Sequence, residues 1–312
     1  MKDLRLVSNV EVVAVSSRRQ GTADAFAAAE GIERAYGDYA AMLGDPDVDV
    51  VYLCTPVGAH HAMASEAIAA GKHVLVEKAM TVDADQARDL AKQAEAAGVF
   101  LMEAMWMKFN PMIGTLQKRL ADGAVGDVHW VQAGFGFAVP REPASRFWSA
   151  AQGGGALLDL GIYPITLTHL FMGAPETITV QGSIEPDGVD TNAMVTLAGA
   201  GVRAQLSTSI EHAVTPRASI AGTVGFVELD MPFWMSGGFT VWPEGARPGG
   251  TPPYDVREKI EGTGYVPMFR AVSQAILDGL TESPVHPLSA TVEILDVIDE
   301  VRRQLLAQAG GS

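Results

Sequence analysis

The 312-residue chain is 48% hydrophobic and holds 22 basic against 37 acidic residues, a net charge of −15. That length suffices for two packed cores of ordinary size, and that charge repels a nucleic-acid backbone. Cys54 is the single cysteine, which excludes an intrachain disulfide framework and a cysteine-based zinc site. No run of about 18 apolar residues reads as a membrane span. No signal-peptide pattern opens the sequence, so a cytoplasmic protein is expected.

In chain order, the first hundred residues alternate strand-like and helix-like segments. A β-branched run at 10–15 precedes an Ala-rich helix at 22–30. A second apolar run at 48–54 precedes a helix at 60–70 that stops at Gly71, and a third strand follows at 73–76. A helix at 83–97 ends at Gly98, before a fourth strand at 99–102. Near-continuous apolar strands separated by helices predict a parallel sheet covered on both faces, the doubly wound arrangement. The pattern changes after Asn110-Pro111. A helix at 112–121 leads to a strand at 128–137, and residues 153–172 read as one long helix. Strands are predicted at 177–184, 193–197, 202–210, 218–221 and 226–229, most with some alternation, giving an antiparallel sheet with one open face. A Gly/Pro-rich loop at 243–253 and helices at 268–280 and 289–307 complete the chain. The predicted division is 1–108 and 109–312, with the last helix packing back on the first domain.

A doubly wound nucleotide-binding sheet normally opens with strand, Gly-x-Gly-x-x-Gly turn and helix. The sequence contains none of these ahead of residue 10, and residues 1–8 read as the tail of the first helix. The expectation is a truncated parallel sheet with a gap in its middle and two unpaired strand edges.

Lys78 sits just past the buried run Val74-Leu75-Val76-Glu77. It is answered far along the chain by Gly153-Gly154-Gly155-Ala156-Leu157-Leu158-Asp159-Leu160-Gly161-Ile162-Tyr163-Pro164. On a helix, Asp159 and Tyr163 are four apart and share a face. An amine, a carboxylate and a phenol in this pattern suggest proton transfer. A tyrosine, with an ordinary pKa of about 10, needs a nearby cation to act as a base near neutrality, and Lys78 is the expected cation. Pro164 removes one helical hydrogen bond, which fits a site better than a plain core helix. No His/carboxylate cluster has metal-ligand spacing.

Several motifs in order resemble one family. They are Val12-Val13-Ala14-Val15-Ser16-Ser17-Arg18, Asp45-Pro46-Asp47-Val48-Asp49-Val50-Val51-Tyr52, Thr55-Pro56 with His60, Gly71-Lys72-His73-Val74-Leu75-Val76-Glu77-Lys78, Met102-Glu103-Ala104-Met105-Trp106 with Phe109, and the 153–164 block. From about Val10 to the C-terminus the chain resembles the Gfo/Idh/MocA oxidoreductases, nearest the dimeric dihydrodiol dehydrogenase and NADP-dependent D-xylose dehydrogenase branch. The resemblance implies a Rossmann domain followed by a domain built on a large open sheet. It also implies that Tyr163 exchanges the substrate proton, Lys78 assists at the nicotinamide, and Asp159 orients the sugar or the Lys78 ammonium. Two positions depart from the family: Ala79 replaces the proline of Glu-Lys-Pro, and Val57 stands where Asn or His is common.

Ser17-Arg18-Arg19 has no acid for a ribose 2′-hydroxyl, which favours NADP, with NAD as the alternative. Thr55, Pro56, His60, Glu77 and Lys78 lie at strand ends where such sheets bind cofactor, and His60 has helix capping as its alternative role. Trp106 and Phe109 are expected as substrate-pocket walls or as interdomain packing, and Arg146 as a substrate contact. The expected function is hydride transfer between NADP and a sugar or cyclic-diol carbinol. The alternatives are a non-catalytic sugar- or nucleotide-binding relative and an NAD-dependent glycoside-cleaving enzyme on the same fold. A homodimer is expected through an apolar open face of the second sheet.

Overall fold

The protein is described from a computed structural model, which covers residues 1–142, 145–245 and 247–310. Five parallel strands build the first part: β1 (Ala14–Ser16), β2 (Arg34–Tyr36), β3 (Val50–Leu53), β4 (His73–Glu77) and β5 (Leu101–Ala104). They do not form one sheet. β1 pairs only with β2, and β3, β4 and β5 form a separate three-stranded sheet. The parallel strands are thus divided between two sheets among the described residues, and the strand expected at 10–15 pairs only over Ala14–Ser16. Helices α1 (Gln20–Glu30), α2 (Tyr39–Leu43), α3 (His60–Ala69) and α4 (Ala84–Ala97) connect the strands. Asp38 and Asp83 cap α2 and α4 by accepting from Ala40 and Gln86 N–H. Residues 4–6 form a single 3₁₀ turn. Asp3 fixes that turn by accepting from the Thr263 and Tyr265 amides.

Pro111 at its first position starts α5 (Pro111–Ala121), capped by Asn110. The second sheet has eight strands. These are β6 (Val128–Gly136), β7 (Thr177–Ile184), β8 (Asp190–Gly199), β9 (Val202–Ser209), β10 (Ala218–Gly222), β11 (Phe226–Leu229), β12 (Gly238–Trp242) and β13 (Tyr254–Arg257). Their order is β13-β12-β11-β10-β6-β9-β8-β7, antiparallel except for the central β6/β9 pair. β12 and β13 flank the expected Gly/Pro loop and escape the sequence reading because each is a short run with little alternation.

The long helix expected at 153–172 is three structures. Gly153 is left-handed, Leu157–Gly161 is a π-helical turn, and α6 (Ile162–Met172) follows. Pro164 lacks the N–H that a regular helix would direct at the preceding turn, and the π turn lies there. The stretch Ala150–Met172 is long and apolar enough, by length and composition, to cross a membrane, contrary to expectation. Its apolar window is 78% buried in protein, against the inner face of the second sheet. Gly161 sits there beside Thr208.

Helices α7 (Val266–Leu277) and α8 (Leu288–Gly310) complete the chain. α8 reaches back to α4: Asp299 accepts from Ala84 N–H and Arg88 pairs with Asp296. At the other end of the same helix, Gln304 and Gln308 donate to the Ile178 and Val180 carbonyls, covering the edge of β7.

The outer face of the eight-stranded sheet is not the wide apolar surface expected. One cross-strand row runs Thr179, Thr196, Gln205, Gln132, Ser219, Glu228, Thr240, Asp255. Alternation sends the aliphatic residues inward and leaves hydroxyls and amides outside. An adjacent row, Arg203, Trp130, Ala221, Phe226, Trp242, supplies an aromatic strip.

Candidate active site

β4 delivers Lys78 to the end of the three-stranded sheet, where the Lys78–Ala79 peptide is cis. The π turn delivers Asp159, and α6 delivers Tyr163. The three meet. Lys78 Nζ donates to the Asp159 carbonyl (2.7 Å) and to Oδ1 (3.0 Å), and lies 5.1 Å from the Tyr163 ring centroid. Arg146 also binds the Asp159 carboxylate, at 3.2 and 3.0 Å. Burial alone would raise the Asp159 carboxyl, but Lys78 and Arg146 outweigh it and hold the group below its ordinary value.

The phenol departs from expectation. Lys78 faces the Tyr163 ring rather than its oxygen, and that oxygen accepts instead from Trp106 Nε1 at 3.0 Å. Burial raises the Tyr163 pKa above its ordinary value; the Trp106 bond opposes this, and Glu77 and Asp159 add to it. Tyr163 is thus a neutral phenol whose own hydrogen has no acceptor among the described residues. An ammonium has three N–H donors. Two of those on Lys78 go to Asp159, leaving one. The arrangement therefore leaves two hydrogen-bond donors without an acceptor among the described residues, an ammonium N–H and a phenol O–H on neighbouring side chains.

Aromatic rings surround Tyr163. Trp106 is edge-on to it and stacks on Tyr265 at 4.8 Å. Phe135 and Trp234 stack on each other at 3.6 Å, and their centroids lie 6.0 and 5.7 Å from that of Tyr163. Phe135, Trp234 and Tyr265 escaped sequence reasoning because they come from β6, the 3₁₀ turn at Phe233–Met235 and the start of α7. No local pattern links those positions. Phe109, 8% exposed, makes no ring contact with them among the described residues.

The expected cofactor residues divide. Ser17 and Arg18 follow β1, with Arg18 exposed, and the run Ser17-Arg18-Arg19 holds no acid. Thr55 follows β3 and its hydroxyl is buried without a partner, an orphaned polar atom at a strand end. Pro56 caps the 3₁₀ turn Val57–Ala59. Glu77 accepts from Tyr52 OH and from Lys78 N–H. Its carboxyl is raised chiefly by burial, against the pull of Tyr52 and Lys78. His60 is not turned toward a ligand. Its ring is fully buried and bridges the Ala79 and Thr55 carbonyls at 3.0 and 2.7 Å, holding the ends of β3 and β4 together. The free basic groups beyond β1 and the orphaned Thr55 hydroxyl fit a phosphorylated dinucleotide at the strand ends. No group of His, Cys, Asp or Glu among the described residues has the geometry to hold a metal ion.

A domain fold of this kind, with an amine and a phenol meeting where its parts join, defines a nicotinamide-dependent oxidoreductase. Residues 2–105 match the oxidoreductase family with an NAD-binding Rossmann fold, and residues 113–228 match the GFO/IDH/MocA C-terminal domain. The chain belongs to the Gfo/Idh/MocA family. It is 36% identical to human trans-1,2-dihydrobenzene-1,2-diol dehydrogenase over 302 residues, covering 96% of this chain and 90% of that protein. The Sus scrofa enzyme of the same name is 35% identical over 308 residues, 97% of this chain and 91% of its own. Among solved structures, the chain resembles KijD10, a 3-ketoreductase from Actinomadura kijaniata in complex with NADP and TDP-benzene. The TM-score is 0.84 at 29% identity, over 97% of this chain and 92% of that one. An aldose-aldose oxidoreductase from Caulobacter crescentus shares the fold, with a TM-score of 0.84 at 24% identity over 96% and 90%.

Proposed function

We propose that the chain is an NADP-dependent oxidoreductase that interconverts a carbinol and a carbonyl on a sugar or a cyclic diol. The observation that supports this best is the pair of free donors, Lys78 N–H and Tyr163 O–H, beside one another. When bound, NADP supplies the hydride chemistry. The protein supplies the proton and the geometry. Lys78, held by the Asp159 carbonyl and carboxylate, hydrogen-bonds the substrate oxygen and stabilises negative charge there. Tyr163, a neutral phenol, gives its proton to that oxygen in the reducing direction and is reprotonated from solvent; in the oxidising direction it must first lose that proton to solvent, and the phenolate then takes the substrate's. Trp106 keeps the phenol hydrogen aimed away from itself by occupying the oxygen's acceptor side. Arg146 neutralises Asp159 and is itself 45% exposed, which suits it to substrate contact. Phe135, Trp234 and Trp106 offer flat apolar walls to the C–H face of a ring.

Ser17, Arg18, Thr55, Pro56 and Glu77 are the proposed cofactor contacts, with Arg18 favouring the 2′-phosphate of NADP over NAD. The proposed division falls near residue 108, between the parallel strands and the large sheet. The proposed assembly is a homodimer through the aromatic strip Trp130, Phe226 and Trp242 on the outer sheet face. The proposed compartment is the cytoplasm, consistent with a lone free cysteine.

The test is nicotinamide absorbance with a panel of trans-dihydrodiols, aldoses and cyclic ketones. Turnover with NADP exceeding turnover with NAD supports the reading. Silence across the panel contradicts it, and release of free sugar from a glycoside without net NADPH identifies a glycoside-cleaving enzyme instead.

A further inference from the structure

Behind the site lies a buried polar cluster that the mechanism above does not use. Glu103 on β5, His286 and Thr291 are 0–1% exposed. Glu103 Oε1 accepts from Met80 N–H at 2.9 Å, two residues beyond Lys78. Its Oε2 lies 2.8 Å from His286 Nε2 and accepts from Thr291 Oγ1 at 3.2 Å. On the far side of the imidazole, Lys108 Nζ lies 3.2 Å from Nδ1. Lys108 belongs to the 3₁₀ turn Trp106–Phe109, so the turn that carries the Tyr163 partner also carries this lysine.

Donor and acceptor roles follow from the chemistry of the ends. A carboxylate only accepts and an ammonium only donates. His286 therefore donates from Nε2 to Glu103 and accepts at Nδ1 from Lys108. The row is a neutral imidazole between opposite charges, and its Lys108 end is a charge-assisted bond only while Lys108 is protonated; the neutral amine still donates, but weakly. Other titratable groups face it from the packed elements. They are His169 of α6 and Glu293 of α8, paired with each other at 2.6 Å. Thr291 of α8 also contacts His286, at 3.0 Å.

We propose that Glu103, His286 and Lys108 form a positioning relay, which ties the turn behind Lys78 to the turn that carries Trp106 and so sets the geometry of the two proton-handling groups. This rests on the roles given above to Lys78 and Tyr163. None of the three relay residues touches those groups directly; each acts through Met80 N–H or the Trp106 turn. Burial lowers Lys108 to about 8, against the pull of Glu103. The Lys108 end of the relay therefore loses its charge assistance as pH rises through that value, within the range in which an oxidoreductase is assayed.

The experiment compares wild type with Lys108→Met and Lys108→Arg. The expected ratio of wild-type to Lys108→Met kcat is about tenfold near pH 7, the worth of one charge-assisted bond, and falls toward one above pH about 9. Lys108→Arg, which stays charged, keeps the high kcat throughout. KM for substrate stays the same in all three. Without substrate or cofactor, the Trp106 indole N–H resonance is expected to shift with a midpoint near pH 8 in wild type and to stay still in Lys108→Arg. A kcat ratio independent of pH, or a Trp106 resonance with no step in wild type, overturns the relay. Because the resonance needs no turnover, a protein inert toward every substrate contradicts the oxidoreductase reading while the spectrum still decides the relay.

Discussion

The proton chemistry at Tyr163 depends on which neighbour donates to its oxygen. Sequence reasoning expected Lys78 to lower the phenol's pKa; the structure instead gives Trp106 Nε1 to the oxygen and Lys78 to the ring face. Replacing Trp106 with Phe keeps an aromatic ring against Tyr265 and removes only that N–H. Turnover should fall about fivefold to tenfold, with KM little changed. An unchanged kcat would show that Trp106 merely packs. Asp159 makes a second, pH-dependent prediction. Its carboxyl is held below the ordinary value of 3.8. A depressed acid contributes stability that is present above its unfolded pKa and is lost as pH falls through the lower folded one. The Asp159→Asn variant should therefore be less stable than wild type above pH about 5, and the gap should shrink as pH falls below the ordinary carboxylate range. Thermal unfolding across that range reads it; a gap that widens on acidification would reverse the assignment.

The π turn and its glycines position the acid and the phenol. Gly155 has φ 117°, and a Cβ there would come within 2.6 Å of Asp190 Oδ2. Asp190 is fully buried, accepts from Leu157 N–H at 2.6 Å, and pairs with Arg302 of α8 at 2.9 Å. Arg302 also donates to the Val82 carbonyl at 3.1 Å, just beyond Lys78 in the chain. One ion pair, with its acid fully buried, thus joins the start of the Asp159 turn to the loop after β4. Gly155→Ala should cost about 3 kcal/mol in stability, from left-handed strain and the clash combined. Asp190→Ala should cost about 2 kcal/mol, because it leaves the Leu157 N–H without its acceptor and a half-buried Arg302 guanidinium without its carboxylate. Chemical denaturation measures both, and a loss under a few tenths for either would remove the strut. The glycine run was legible in the sequence as a special place. The π turn was not, since a π turn and a regular helix share the same apolar composition and differ only in hydrogen bonding.

Across the whole molecule, β3, β4 and β5 were readable as apolar runs, β6 to β11 as alternation, and α6 as a largely apolar stretch. Lys78, Asp159 and Tyr163 were legible through their motifs, and the structure brings them together. Tertiary packing decided the rest. His60 looked like a ligand by position, yet its ring is consumed by two carbonyls. The aromatic cluster of Phe135, Trp234 and Tyr265 assembles from distant segments. The parallel strands split into two sheets, leaving β1–β2 supported by few neighbours. Amides of β1 and β2 should exchange with solvent about 10²-fold faster than those of β4, because a two-stranded pair opens without disturbing the core. Equal protection would mean the two sheets unfold as one. The account rests most heavily on Tyr163 as the proton carrier beside Lys78. The direct measurement is kcat for NADPH-dependent carbonyl reduction by Tyr163→Phe, with NADPH binding measured alongside. The account predicts a loss of about 10²–10⁴-fold with binding intact; full turnover by the phenylalanine variant would contradict it.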